Sequence, residues 1–268
     1  MARNIIKPQS PVVTTPANPK PPKVRANAAF TNLIKNTSLK QKLMSWFWKA
    51  LKYFFGGSIA LVFITKWLPI FVTPTMIDRK FGAIFDGKDS EIHYDWTPYE
   101  DISKEMALAV VSSEDQQFPN HFGFDFKAMN NAFSHNLRGK RIKGASTISQ
   151  QVAKNVFLWQ GRSYVRKVLE AWFTVLIEII WGKERILEVY INVAEMGKMT
   201  FGAEAAAMRF YGHSAQSLSR TEAARIAAVL PNPIRFSVAK PSGYVLRRTG
   251  FIARQMRGLG GKAYIAEL

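Results

Sequence analysis

No cysteine occurs anywhere in the chain. Disulfides, thiolate nucleophiles and zinc–cysteine sites are therefore excluded, and the chain suits either the cytosol or a bacterial envelope compartment. Acid is missing from the first 77 residues, which hold eleven Lys or Arg; Asp78 is the first carboxylate. Histidine is scarce, with four in the chain and none at metal-ligand spacing, so a zinc site is not expected. No internal repeat and no βαβ alternation is found. Large apolar residues are few in the first 30 positions, where Pro8, Pro11, Pro16, Pro19, Pro21 and Pro22 fall. That composition predicts a disordered basic tail, taken to residue 45.

What is present is lopsided. The net charge is +18, yet residues 78–268 carry 26 basic against 19 acidic side chains. A basic tail can mean nucleic acid, but a membrane explains this one better, and no nucleic-acid partner is expected. Trp46–Val72 is apolar except for Lys49, Lys52 and Lys66, and about 20 apolar residues span a bilayer as a helix. Trp46, Trp48, Tyr53 and Trp67 flank the run as interfacial anchors, and Lys66 can snorkel. The run starts too late and is too long for a cleaved signal peptide. The bases ahead of it predict a cytoplasmic amino terminus, with the remainder outside the membrane.

The expected organisation is therefore a tail over 1–45, a transmembrane signal-anchor helix over 46–72, an irregular connector over 73–100 and one domain over 101–268. Apolar residues in that domain recur at three and four positions, which predicts a mainly α fold. Candidate helices cover 103–117, 127–138, 146–158, 162–182, 184–192, 202–211, 220–229 and 242–258. The helix over 162–182 is apolar nearly all round, through Trp172, Phe173, Val175, Leu176, Ile177, Ile179, Ile180 and Trp181, and is expected to be central to the core.

Two strings carry the chemistry. The first, from Glu114-Asp115 through Phe118 and His121 to Gly123, closes the apolar run Met106–Val111. A carboxylate carried to the end of a buried helix, beside a like charge, has a raised pKa and can accept a proton. The bland alternative is a surface acidic pair, and for His121 a loop organiser. The second string is Gly144-Ala145-Ser146-Thr147-Ile148-Ser149-Gln150-Gln151. Ser146 or Thr147 suits an N-cap. Gln150, Gln151, Lys154 and Asn155 then offer sugar and phosphate contacts, or else a solvated helix face. Arg162, Arg166 and Glu170 follow at four-residue spacing on one face. Ser237-Val238-Ala239-Lys240 fits a Ser-x-x-Lys pattern but lacks the companion motifs of a transpeptidase, so it is taken as chance.

Together these strings resemble glycosyltransferase family 51, the peptidoglycan polymerases. The matching motifs are Glu114-Asp115-x-x-Phe118-x-x-His121-x-Gly123, then Gly144-x-Ser146-Thr147-x-x-Gln150-Gln151-x-x-Lys154-Asn155, Arg166-Lys167-x-x-Glu170, and Lys183-x-x-Ile186-Leu187-x-x-Tyr190-x-Asn192. The resemblance runs from about residue 95 to 260 and is nearest the monofunctional, Gram-negative type. Ala145, Ser149, Asn130 and Asn131 depart from the usual residues.

The resemblance implies a lysozyme-like helical glycosyltransferase domain acting on lipid II. It implies catalytic roles for Glu114, the general base, and for Glu170, which orients the donor or holds a divalent cation, Mg or Mn. It implies substrate binding by Ser146, Thr147, Gln150, Gln151, Lys154, Arg162, Arg166 and Lys167. Asp115, His121, Tyr190 and Asn192 are structural neighbours, and no organic cofactor is implied. The implied partners are lipid II, the nascent glycan strand, membrane lipid and cell-wall synthesis or division proteins. The implied place is the inner membrane, with the domain in the periplasm. The Phe122–Phe133 segment either dips into the bilayer or packs in the core. The rival reading is a membrane-anchored muralytic hydrolase, and a third class is a non-enzymatic scaffold.

Overall fold

The structure, a computed structural model, describes residues 28–137, 139, 144–161 and 163–268. The tail over 1–27, Arg162 and the bases Arg138, Lys140, Arg141 and Lys143 lie outside the described residues. The chain divides into two compact units, Met1–Tyr53 and Phe54–Leu268.

Helix α1 is Ala28–Thr65, and within it Leu39–Thr65 is long and apolar enough to cross a membrane. The expected boundaries therefore move at both ends. Residues 28–45 are helical rather than disordered, because no proline follows Pro22 until Pro69 and the segment is rich in good helix formers. Residues 66–72 are not helical; Pro69 lacks an N–H and restricts the residue before it.

The connector over 73–100 is not irregular. It contains helix α2, Pro74–Phe85, with Thr73 as N-cap accepting from the Met76 N–H. Pro74 stands at the first helical position, where its missing N–H costs nothing.

The eight candidate helices of the domain all form. They are α3 (Lys104–Glu114), α4 (Phe126–Leu137), α5 (Ile148–Phe157), α6 (Tyr164–Ile180), α7 (Lys183–Val193), α8 (Ala203–Tyr211), α9 (Arg220–Val229) and α10 (Gly243–Gly258). Helix α3 is the centre of the fold. Met106 through Val111 are fully buried, and α7, α9 and α10 pack around it. Helix α6 enters the core with its second half, through Phe173, Leu176 and Ile177, while Tyr164, Val165, Val168 and Ile179 are exposed on it.

A small sheet, unforeseen from the pattern, stands beside the helices. Strand β1 (His93–Tyr94) pairs in parallel with β3 (Thr200–Phe201), and β2 (Glu195–Gly197) pairs antiparallel on the other side of β3. Strands of two or three residues are too short to show a period of two. The expectation of a mainly α fold holds. Asn192, at the end of α7, exchanges hydrogen bonds of 2.9 Å with the Thr97 backbone N–H and C=O. It ties the segment after β1 to the core rather than facing the cavity described below.

Candidate active site

The buried helix α3 ends at Glu114, so its last turn carries a carboxylate to the edge of the core. Asp115 caps that helix and turns inward. Its carboxylate accepts from the Ile148 backbone N–H at 3.0 Å and bonds His121 Nε2 at 3.0 Å. Ile148 opens α5, where a carboxylate also meets the positive end of the helix dipole. Asp115 thus joins the two chemistry-bearing strings of the sequence.

Thr147 and Gln150 close the same junction. Thr147 Oγ1 accepts from the Gln150 N–H, and Gln150 Oε1 accepts from the Thr147 N–H, a reciprocal capping box. Thr147 Oγ1 also donates to Gly123 O at 2.6 Å. Gly123 has φ +75°, and a Cβ there would stand 2.7 Å from Thr174 Cγ2. Gln150, expected to contact substrate, is buried, its side-chain carbonyl is used by the turn, and it is not among the residues lining the cavity. Thr147 touches the cavity but is spent mainly on the cap.

Glu114 faces a cavity of about 770 Å³ whose lining includes Gln116, Asn131, Ser146, Gln151, Pro231 and Arg248. Its side chain is 15% exposed. Gln151 Nε2 donates to Glu114 Oε2 at 3.2 Å, and the Tyr190 hydroxyl donates to Gln151 Oε1 at 3.2 Å. Tyr190 thereby fixes which way the amide points. Burial pushes the Glu114 carboxyl above its ordinary range; Gln151 and Arg248 oppose the rise, Asp115 adds to it and Lys154 opposes it. Burial, with Glu114 adding, raises the Tyr190 hydroxyl as well, so it stays a neutral donor.

A cationic group gathers around Lys154 of α5, whose charge also reaches Glu114. Arg166 Nη1 meets Glu170 Oε2 at 3.3 Å, and Lys167 Nζ meets Glu170 Oε1. Lys154 makes no ion pair with any described residue. Burial lowers its pKa; Glu170 opposes this, while Arg166 and Lys167 reinforce it. A desolvated ammonium without a fixed partner is an anion site in waiting.

The cation implied at Glu170 fits poorly. Both carboxylate oxygens are engaged by basic side chains, and among the described residues no group of three or more His, Asp or Glu could hold a metal. Glu170 reads instead as the residue that holds Arg166 and Lys167 in place.

Arg248 was not foreseen from the sequence. Its Nη2 stands 3.7 Å from Glu114 Oε1, and it arrives from α10. Glu178 was missed too. It is buried and accepts from Ser149 Oγ at 2.5 Å and Lys183 Nζ at 2.8 Å, while Lys183 also donates to His121 O at 2.5 Å. The lysine of the fourth motif therefore buttresses the loop of the first. The only forewarning was the Lys183 spacing itself.

A buried carboxylate with raised basicity, lining a polar cavity and within reach of a lysine's charge, has the features of a group-transfer enzyme that works by general-base catalysis. The sequence model of the family described as transglycosylase matches residues 81–257. The chain is 53% identical over 220 residues to the biosynthetic peptidoglycan transglycosylases of Pseudomonas entomophila and Pseudomonas putida, which covers 82% of this chain and 93% of each relative. It is 50% identical over 222 residues to the one from Pseudomonas fluorescens, covering 83% and 92%. The chain belongs to the transglycosylase family.

Proposed function

We propose that this chain polymerises peptidoglycan glycan strands by inverting transfer from a lipid-linked donor, lipid II or the strand grown from it. The observation that carries the reading is that Glu114 lines the polar cavity and feels the charge of Lys154, which in turn feels those of Arg166 and Lys167. Glu114 takes the proton of the acceptor 4-hydroxyl as its oxygen attacks the donor anomeric carbon. The new β-1,4 C–O bond forms as the anomeric C–O bond breaks, and undecaprenyl pyrophosphate departs with the electron pair. That leaving group needs charge compensation more than a proton, which suits Lys154, Arg166 and Lys167. Arg162 belongs to the same proposed set by sequence alone. Ser146 and Gln151 meet sugar hydroxyls.

A hydrolase of glycan polymer has no phosphate to hold, so the basic group favours the polymerase. Labelled lipid II supplied to the full chain and to Glu114→Gln decides the matter. Polymer from the first and none from the second is expected. Shortening of preformed strands without polymer would establish the hydrolase.

Helix α1 is read as a single-pass anchor in the inner membrane, with its amino terminus cytoplasmic and the domain periplasmic. A reporter fused after Leu268 is expected to be active only outside the cytoplasm; cytoplasmic activity would reverse the topology. Phe122, Phe126 and Phe133 are exposed and α4 buries none of its residues, which supports membrane contact over core packing for that segment. Cell-wall synthesis or division proteins remain proposed partners on the resemblance alone.

A further inference from the structure

Arg248 belongs to a run of bases with no acid among them. Residues 223–266 hold eight Lys or Arg and no Asp or Glu. Arg248 faces Glu114, but Arg247, Arg254 and Arg257 are exposed on α10 and make no ion pair with any described residue. Unpaired like charges on one helix repel one another, so the fold gains nothing from them. A face kept only for solubility mixes both signs.

Two successive seven-residue stretches of α10 carry the same residue types in the same order. Gly243-Tyr244-Val245-Leu246-Arg247-Arg248 is followed by Gly250-Phe251-Ile252-Ala253-Arg254-Gln255. Seven residues are nearly two turns, so matching positions form rows with ~10 Å between members. Val245 and Ile252 form the buried row. Arg248 and Gln255 form the row that faces the site. Arg248 lines the cavity, and Gln255 Oε1 accepts at 3.2 Å from Nε2 of Gln116, which lines it too. By helical pitch, Tyr244 and Phe251 stand about 50° further round the helix, and Arg247 and Arg254 about 100°.

Both aromatic rings are open, at 41% and 49% exposure. Phe236 stacks on Tyr244 with centroids 4.9 Å apart and widens that platform. Phe236 ends a loop that starts at Pro231, itself part of the cavity lining. The arginines lie back over the two glycines. A Cβ on Gly243 would stand 3.4 Å from Arg247 Nη1, and one on Gly250 3.7 Å from Arg254 Nη1. Each guanidinium is thereby held at the level of the aromatic ring of its own stretch.

We propose that this face of α10 is a track for the glycan strand, continuing the cavity past Pro231 and Arg248, and that holding the strand there lengthens the polymer made in one encounter. The inference rests on the polymerase reading. The two rows together select the occupant. Open aromatic rings take the C–H faces of sugars. Guanidiniums beside them take carboxylates, and a peptidoglycan strand carries carboxylates on the short peptides that its sugars bear. The spacing of the rows is comparable to a pair of linked sugar rings. Helix α10 packs on α3 and α9, whereas Val62 and Thr65 near the end of the apolar span are met by Trp181 and Arg185, so this face does not continue the one that meets the span. A strand held at a second place leaves more slowly between additions.

The test compares the full chain in detergent with two variants, Arg247→Gln combined with Arg254→Gln, and Phe251→Ser. The binding probe is uncrosslinked glycan strand, either intact or stripped of its peptides by an amidase. Intact strand is expected to bind each variant about tenfold more weakly than it binds the unaltered chain. Stripped strand is expected to lose affinity for the unaltered chain and to bind the double variant no worse than intact strand does. With lipid II, initial substrate consumption by the variants is expected to stay within about twofold of the unaltered chain, while the strands released are about threefold shorter. Unchanged strand affinity in either variant overturns the proposal, as does unchanged strand length. Polyglutamate competing as well as intact strand also overturns it, since the row would then be a general polyanion surface. Lost binding to phosphatidylglycerol vesicles with strand affinity intact gives the face to lipid instead. Absence of polymer from the unaltered chain sinks the polymerase reading, and the track is then judged by strand affinity alone.

Discussion

Arg248 Nη2 lies 3.7 Å from Glu114 Oε1, so the guanidinium of α10 faces the carboxylate at the end of α3. Glu114 must be ionised to accept a proton, and burial works against that. The other groups facing it are Asp115 from its own turn, Lys154 from α5 and the neutral Tyr190 hydroxyl of α7 behind Gln151. Of the opposing influences, only Gln151 and the two cations favour the ionised form.

Activity is therefore expected to fall as pH drops through the raised pKa of Glu114. Arg248→Gln removes a cation that holds this value down, so the acid limb of the rate profile moves to higher pH. Arg248→Lys keeps the charge and leaves the limb near its original place. The profile at saturating substrate checks this; a limb that stays put or moves to lower pH in Arg248→Gln refutes the role.

Asp115 is expected to matter for stability more than its neighbour does. Its carboxylate serves both the Ile148 N–H and His121. Asp115→Ala leaves a buried N–H and an imidazole without their acceptor and should cost about 2–3 kcal/mol. Glu114→Gln, partly solvated and facing a cavity, should change stability little. Chemical denaturation of both variants, solubilised alike, makes the comparison. Equal losses would contradict the division of labour between the two acids.

Gly123→Ala combines two penalties. The residue sits at φ +75°, and its new Cβ would press on Thr174 Cγ2 at 2.7 Å and Glu178 Cγ at 3.1 Å. A loss of about 1–3 kcal/mol is expected from overpacking and left-handed strain. Because Gly123 O accepts from Thr147, the shift should also disturb the α5 cap and lower the turnover rate. A variant with the original melting temperature would show that the loop is slack.

The α3, α5, α6 and α7 helices were legible because each carries a local pattern of three- and four-residue spacing. So was Glu114, a carboxylate where the pattern called for burial. The small sheet was not, since two residues of His93–Tyr94 against Thr200–Phe201 make no periodic signal. The part Gln150 plays in the α5 cap was not legible, because a buried capping amide and a sugar-binding amide look the same in one dimension. The contact of α6 with α1 was hidden for a similar reason: a residue such as Trp172 that meets a membrane-type helix is as apolar as one that meets a core.

The sequence by itself determined the helical class, the apolar span, and the order of acid, capping turn and basic residues along the chain. These depend on neighbours within a turn or two of helix. Only the tertiary structure decided that Asp115 caps α5, that Tyr190 orients Gln151 toward Glu114, that Glu170 is spent on Arg166 and Lys167, and that Arg248 completes the site. Those relationships join segments far apart in the chain. Packing around α3, not local propensity, brings them within reach of one another.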